Sequence, residues 1–224
     1  GRFIAFLLLI GLVIILVMLQ PDMGTAVIIL GVSVVLYFLS GGSIWHILGL
    51  LPIIGLGGLG LIMLEPYRAA RLATFLNPNQ DLSATSYHLR QILIALGSGG
   101  LFGVGIGNSL QKYAYLPEAT TDSIFAIAAE EVGFIGVTVL LLIILFIIYR
   151  GFHIAMHAKD NLGKLLAGGI TSFIAIQTIV NLGAQTALLP LTGVPLPFIS
   201  YGGSALTVNL ISIGILLNIS RQSH

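Results

Sequence analysis

Between Leu165 and Ser220 the chain carries not one charged side chain. A water-soluble fold has no place for such a stretch, because globular domains hold about 25% charged residues. Across all 224 residues the chain is 57% hydrophobic and 8% charged, too little polar surface to cover a globule in water. The expected fold is an all-α polytopic membrane protein, a single membrane domain over residues 1–224. A spanning helix needs about 20 apolar residues. Six stretches qualify: Phe3–Gln20, Met23–Ser40, Ile44–Leu64, Ser123–Tyr149, and two within the uncharged run, Leu165–Leu188 and Tyr201–Leu217. Pro21-Asp22, Ser40-Gly41-Gly42-Ser43 and the prolines 190, 195 and 197 mark breaks.

Six spans put both termini on one side. Arg2, Arg150, Lys159, Lys164 and Arg221 fall on that side, opposed by Asp160. The positive-inside rule makes it cytoplasmic. The loop Glu65–Thr121 is then external, with Arg68, Arg71, Arg90 and Lys112. Net charge of +1 without a basic run gives no reason for a nucleic-acid partner, and the absence of Cys excludes disulfides and thiolate chemistry. The chain begins within an apolar segment, with no initiator Met and no small-residue cleavage site after it. That start is expected of the C-terminal part of a longer protein, not of a signal peptide.

Inside the external loop, Gln91–Gln111 has no charge and six glycines. It is too glycine-rich for a span and fits a half-inserted segment. Gly103-Val104-Gly105-Ile106-Gly107 lacks the spacing and strand–helix setting of a dinucleotide loop.

Four carboxylates, Glu118, Asp122, Glu130 and Glu131, stand at the mouth of or just inside the Ser123–Tyr149 span. Ionisable groups at membrane depth cost about 2.5–3.5 kcal/mol each, so they need a reason. Glu118 and Asp122 are four apart, on one helix face, and suit a general base, a metal ligand or a helix cap. Glu130 and Glu131 lie two turns deeper, where structural pairing is expected. Asp22 reads as an N-cap. Arg68 and Arg71, one turn apart, and Lys112 have the chemistry for phosphate, or for lipid head groups. His153 and His157, at i and i+4, lack a third ligand nearby. Gln177, Asn181 and Gln185 step by four and form a polar stripe, expected to bond between helices or to line a cavity.

The blocks QPDMGTA (20–26), EPYRAARLATFLNP (65–78), ALGSGGLFGVGIGNSLQKYAYLPEATTDSIFAIAAEEVGFIG (95–136) and PLPFISYGGSAL (195–206) together resemble the SEDS family of shape, elongation, division and sporulation proteins. NSLQKYAYLPEA is more similar to the FtsW and sporulation branch than to the RodA branch. The resemblance implies a ten-span protein of which this chain is the last six spans. It implies a peptidoglycan glycosyltransferase that polymerises lipid II on the outer face of the bacterial cytoplasmic membrane. The family's essential acid maps onto Asp122 as general base, with Arg68, Arg71, Lys112, Glu118 and Thr121 as substrate-binding candidates in loop 65–121. Implied partners are lipid II, the polyprenyl-pyrophosphate-linked glycan, membrane lipid and a class B penicillin-binding protein. A divalent cation, Mg²⁺ or Mn²⁺, is compatible but not required by the spacing. Members often have Phe after the Asp and Gly before the Glu pair; this chain has Ser123 and Ala129. A lipid II flippase is the alternative, with Asn181 and Gln185 along a path and Glu130 carrying protons.

Overall fold

A computed structural model describes residues 2–20, 22–64, 66–76, 84–111 and 120–223, and among the described residues there are eight α-helices. They are α1 (Arg2–Met18), α2 (Met23–Leu39), α3 (Ile44–Leu64), α4 (Pro66–Leu76), α5 (Ala84–Ser98), α6 (Ile124–His157), α7 (Asn161–Gln185) and α8 (Gly203–Ser223). There is no strand among the described residues. The six expected spans overlap α1, α2, α3, α6, α7 and α8, and α4 and α5 lie in the expected loop.

Helix ends follow local chemistry. Asp22 caps α2, accepting from Thr25 N at 3.0 Å and Thr25 Oγ1 at 2.6 Å. Asp160 Oδ1 accepts from Gly163 N at 3.2 Å, so α7 begins at Asn161, a turn earlier than the apolar pattern expected. Gly41, at φ 85, closes α2 with its N–H on Phe38 O.

Among the described residues, three helices are long and apolar enough to cross a membrane: Ile124–His157, Asn161–Gln185 and Gly203–Gln222. α1 and α2 are apolar but 17 residues each, reaching about 25 Å at 1.5 Å per residue against a hydrocarbon core of about 30 Å. Lipid is the solvent these faces are built for. Leu142, Leu145 and Phe146 of α6 and Leu210, Ile211 and Leu217 of α8 are all more than half exposed.

The chain divides into two compact units. The first comprises Gly1–Leu59, Phe146–Gln177 and Thr207–His224. Its core joins Ala155, Ala167 and Leu216, with Ile154, Ile170, Ile213 and Ile219 packed on them. Small residues at such contacts let helices approach where lipid gives no hydrophobic drive. The second comprises Gly60–Leu145 and Thr178–Leu206. Its core sets Ile92 and Ala95 of α5 against Ala126 and Ile127 of α6, with Leu96 and Leu191 alongside.

One expectation needs correction. The Ser123–Tyr149 stretch is not one continuous helix, because α6 is broken at Gly133 (φ 68, ψ −175). The break is repaired from outside. Val104 N and Gly105 N donate to the carbonyls of Glu130 and Glu131, both at 3.0 Å. Phe134 N and Ile135 N donate to Gly100 O at 2.9 Å and Leu101 O at 3.1 Å. Backbone groups that a broken helix would leave unsatisfied are thereby paired. The glycines make this possible: a Cβ on Gly103 would lie 2.2 Å from Glu131 O, and one on Gly133 would lie 2.3 Å from Gly103 N.

Candidate functional site

Residues Thr120–Ser123 form a turn that delivers the chain into α6, and the second unit grips each residue of it. Tyr201 N donates to Thr120 O at 2.8 Å. Ser200 Oγ donates to Thr121 O at 2.6 Å and accepts from Leu196 N at 2.7 Å. The Asp122 carbonyl accepts from Asn181 Nδ2 at 3.0 Å and from Gln185 Nε2 at 2.8 Å. Ser123 Oγ, fully buried, lies 2.8 Å from Nε2 of His88 on α5.

The polar stripe on α7 explains part of this rigidity. Gln185 Nε2 also donates to Asn181 Oδ1 at 2.7 Å, and Asn181 Nδ2 to Val194 O at 2.7 Å. Gln185 Oε1 accepts from Ala126 N at 2.8 Å. That N–H belongs to the first turn of α6 and also donates to Ser123 O at 3.0 Å, so Gln185 adds a second acceptor at the head of a neighbouring helix. Both carboxamides are nearly fully buried and make directional bonds, as the interhelical reading expected.

Asp122 itself is half-buried. Its Oδ2 lies 3.3 Å from the position a Cβ on Gly193 would occupy. Gly193 (φ 74) therefore brings bare backbone close to the carboxylate, where a side chain would crowd it. The same segment meets one of the candidate cations. Arg71 Nη1 on α4 donates to Leu191 O at 2.8 Å, two residues before Gly193. Arg68, one turn earlier, is buried, 6% exposed. Segment 186–202 is strained as well: Ala187 and Phe198 hold left-handed backbone at φ 56 and φ 66. Such conformations persist only where surrounding bonds fix them. Phe198 sits within the turn that Leu196 and Ser200 close.

Glu130 serves structure. It is 3% exposed, accepts from Ser109 Oγ at 2.5 Å and from Leu110 N at 3.3 Å, and so ties the far end of the glycine-rich segment to α6. Of the residues singled out from sequence, Arg68, Arg71, Thr121 and Asp122 lie in one unit, with Arg71 and Asp122 meeting the same short segment. Lys112 and Glu118 lie outside the described residues. Among the described residues no three His, Asp or Glu side chains converge on a metal position. His88, Ser200 and Gly193 escaped sequence reading. A buried Ser at the head of a helix needs a polar partner, which was the available signal for His88.

The fold and this geometry define a class: a polytopic, helical membrane protein with an acidic turn clamped at the head of a long apolar helix. The chain belongs to the FtsW/RodA/SpoVE family of cell cycle proteins, whose sequence profile matches residues 1–224. It is 48% identical over 210 residues to stage V sporulation protein E of Bacillus subtilis (strain 168), covering 93% of this chain and 57% of the relative. It is 41% identical over 221 residues to a probable peptidoglycan glycosyltransferase FtsW of Geobacter sp. (strain M18), covering 98% and 60%. Among solved structures it is similar to a chain of a peptidoglycan synthase complex, with TM-score 0.74, 29% identity, and 98% and 61% of the two chains covered. It is also similar to the rod shape determining protein RodA of Thermus thermophilus, with TM-score 0.63, 29% identity and coverage of 98% and 56%. The chain spans about three fifths of the length of these relatives.

Proposed function

We propose that this chain forms the catalytic part of a peptidoglycan glycosyltransferase that polymerises lipid II at the outer face of the bacterial cytoplasmic membrane. All six long helices span the bilayer in this reading, the ends of the chain lie in the cytoplasm, and the glycine-rich segment is half inserted from outside. Asp122 takes the proton from the 4-hydroxyl of the acceptor sugar. The freed oxygen electron pair forms a bond to the donor's anomeric carbon. The bond to the polyprenyl pyrophosphate breaks, and the pyrophosphate leaves with the electron pair. An α-linked donor and β-linked product mean one inverting displacement and no covalent enzyme intermediate.

Arg68, Arg71 and Lys112 stabilise the charge that develops on the pyrophosphate. Glu118 and Thr121 contribute to substrate binding. A divalent cation is not required by this arrangement; a Mg²⁺ or Mn²⁺ ion bound with the pyrophosphate would supply further charge neutralisation there. A class B penicillin-binding protein is the proposed protein partner.

The observation that carries this reading is the clamped Asp122 turn. Five hydrogen bonds from α5, α7 and segment 200–201 hold it, and its carboxylate faces bare Gly193 backbone. Preorganisation of that kind serves catalysis better than transport, which needs the site to open to both faces. The test is reconstitution of the full-length protein with lipid II in proteoliposomes, with and without the penicillin-binding partner. Glycan strands resolved on a gel are expected. Movement of lipid II across the bilayer without strand formation would favour the flippase instead.

A further inference from the structure

α5 and the head of α6 meet along a seam of small and branched apolar side chains. On α5, Ile92 and Ala95 face Ala126 and Ile127 of α6. The spacing continues at the end of the seam. His88 lies one turn before Ile92 on α5, and Ser123 lies three residues before Ala126. Those two face each other as well, with Nε2 and Oγ 2.8 Å apart. An apolar seam resists separation but tolerates small rotations, because dispersion contacts are not directional. A part-buried polar pair at its end is directional and restricts that rotation. Ser123 is 0% exposed, so a hydroxyl there has no access to water as a substitute partner.

Asp122 is the residue before that fixed point. The bonds from Asn181, Gln185, Ser200 and Tyr201 all hold main-chain carbonyls of residues 120–122. Gln185 also holds Ala126 N, in the first turn of α6, so main-chain bonds flank Ser123 on both sides. The His88 bond adds the side-chain contact at Ser123 itself, from a different element. We infer that His88 is a positioning residue: through Ser123 Oγ it sets the direction in which the Asp122 carboxylate points during glycosyl transfer. This rests on the function proposed above. His88 touches neither sugar nor pyrophosphate in this account, and its effect travels through one hydrogen bond and one peptide unit.

The test is steady-state lipid II polymerisation by the full-length protein in proteoliposomes, comparing His88→Leu, His88→Gln, Ser123→Ala and the His88→Leu/Ser123→Ala double variant. His88→Leu is expected to lower kcat roughly tenfold, since small misplacement of a catalytic group has large rate effects. KM should stay within about twofold, because no substrate contact is lost. His88→Gln, which can still bond the Ser123 hydroxyl, should restore most of kcat. The double variant should be no slower than the slower single one, because both changes remove the same bond. Ser123→Ala deletes one oxygen and gives the same kcat-against-KM readout if His88→Leu does not insert. Unchanged kcat in both single variants would overturn the inference. So would losses that add in the double variant and that Gln fails to relieve. Asp122→Asn, run alongside, separates the two levels: strands made without the carboxylate refute the base assignment itself, whatever His88 does.

Discussion

Gln185 holds both sides of the entry into α6, donating to the Asp122 carbonyl at 2.8 Å and accepting from Ala126 N at 2.8 Å. One carboxamide thus joins the last turn residue before the helix to the helix's first turn. Gln185→Leu removes one bond from each, leaving the Asp122 carbonyl with Asn181 Nδ2 and Ala126 N with Ser123 O, and each lost bond costs about 0.5–1.5 kcal/mol. The expected result is a lower thermal inactivation midpoint and less activity in the remaining folded protein. Gln185→Glu keeps the acceptor for Ala126 N and places a carboxylate against the Asp122 carbonyl. It should therefore impair activity more than its small change in volume would. Thermal inactivation and strand synthesis measured on the same preparations check both variants.

The break at Gly133 depends on the close approach of Gly103. Gly103→Ala places a Cβ 2.2 Å from the Glu131 carbonyl, at a left-handed position (φ 77). Backbone cannot yield as a flexible side chain does, so the four inter-segment bonds should loosen together. Overpacking of this kind costs about 1–3 kcal/mol or more. Hydrogen exchange across residues 99–105 and 130–135 should accelerate in this variant. Half-buried Gly107, whose Cβ would meet nothing within 4 Å, makes the control: at φ 90 it shares the left-handed strain of Gly103 without the backbone clash.

Ser109 and Glu130 form a buried pair at the other end of the same segment. Ser109→Ala leaves a buried carboxylate oxygen short of a donor, at a cost of about 1–3 kcal/mol. Glu130→Gln retains an oxygen for Leu110 N and a polar group toward Ser109. The expected order of thermal stability is wild type, then Glu130→Gln, then Ser109→Ala. If Glu130 instead carried protons across the membrane, Glu130→Gln would abolish function while leaving stability unchanged.

Much of the fold was legible because lipid imposes simple rules. The uncharged run at 165–220 contains most of α7 and nearly all of α8, as apolar length required. The stripe of Asn181 and Gln185 was visible from its spacing, but its target, a carbonyl 59 to 63 residues away, was not. Gly133 escaped because VGFIGV continues the apolar pattern through the break, and the hydrogen bonds that repair it come from residues 100–105. Periodicity reports which face is apolar; it carries no information about a backbone that leaves helical geometry while still satisfied by a distant partner. Asp122 stood out through its motif and its position, whereas the residues that meet its turn, His88, Ser200 and Gly193, are single residues on other elements without any local pattern.

The central claim is that the carboxylate of Asp122 removes the acceptor's proton. It is tested most directly by comparing wild type with Asp122→Asn in lipid II polymerisation, after equal membrane insertion is verified. Asn keeps the main-chain clamp from Asn181 and Gln185 and nearly the same shape, but cannot act as the base. The account predicts folded, inserted protein with strand synthesis reduced at least about a hundredfold, the scale of general-base catalysis. Strand synthesis at the wild-type rate from Asp122→Asn would contradict it.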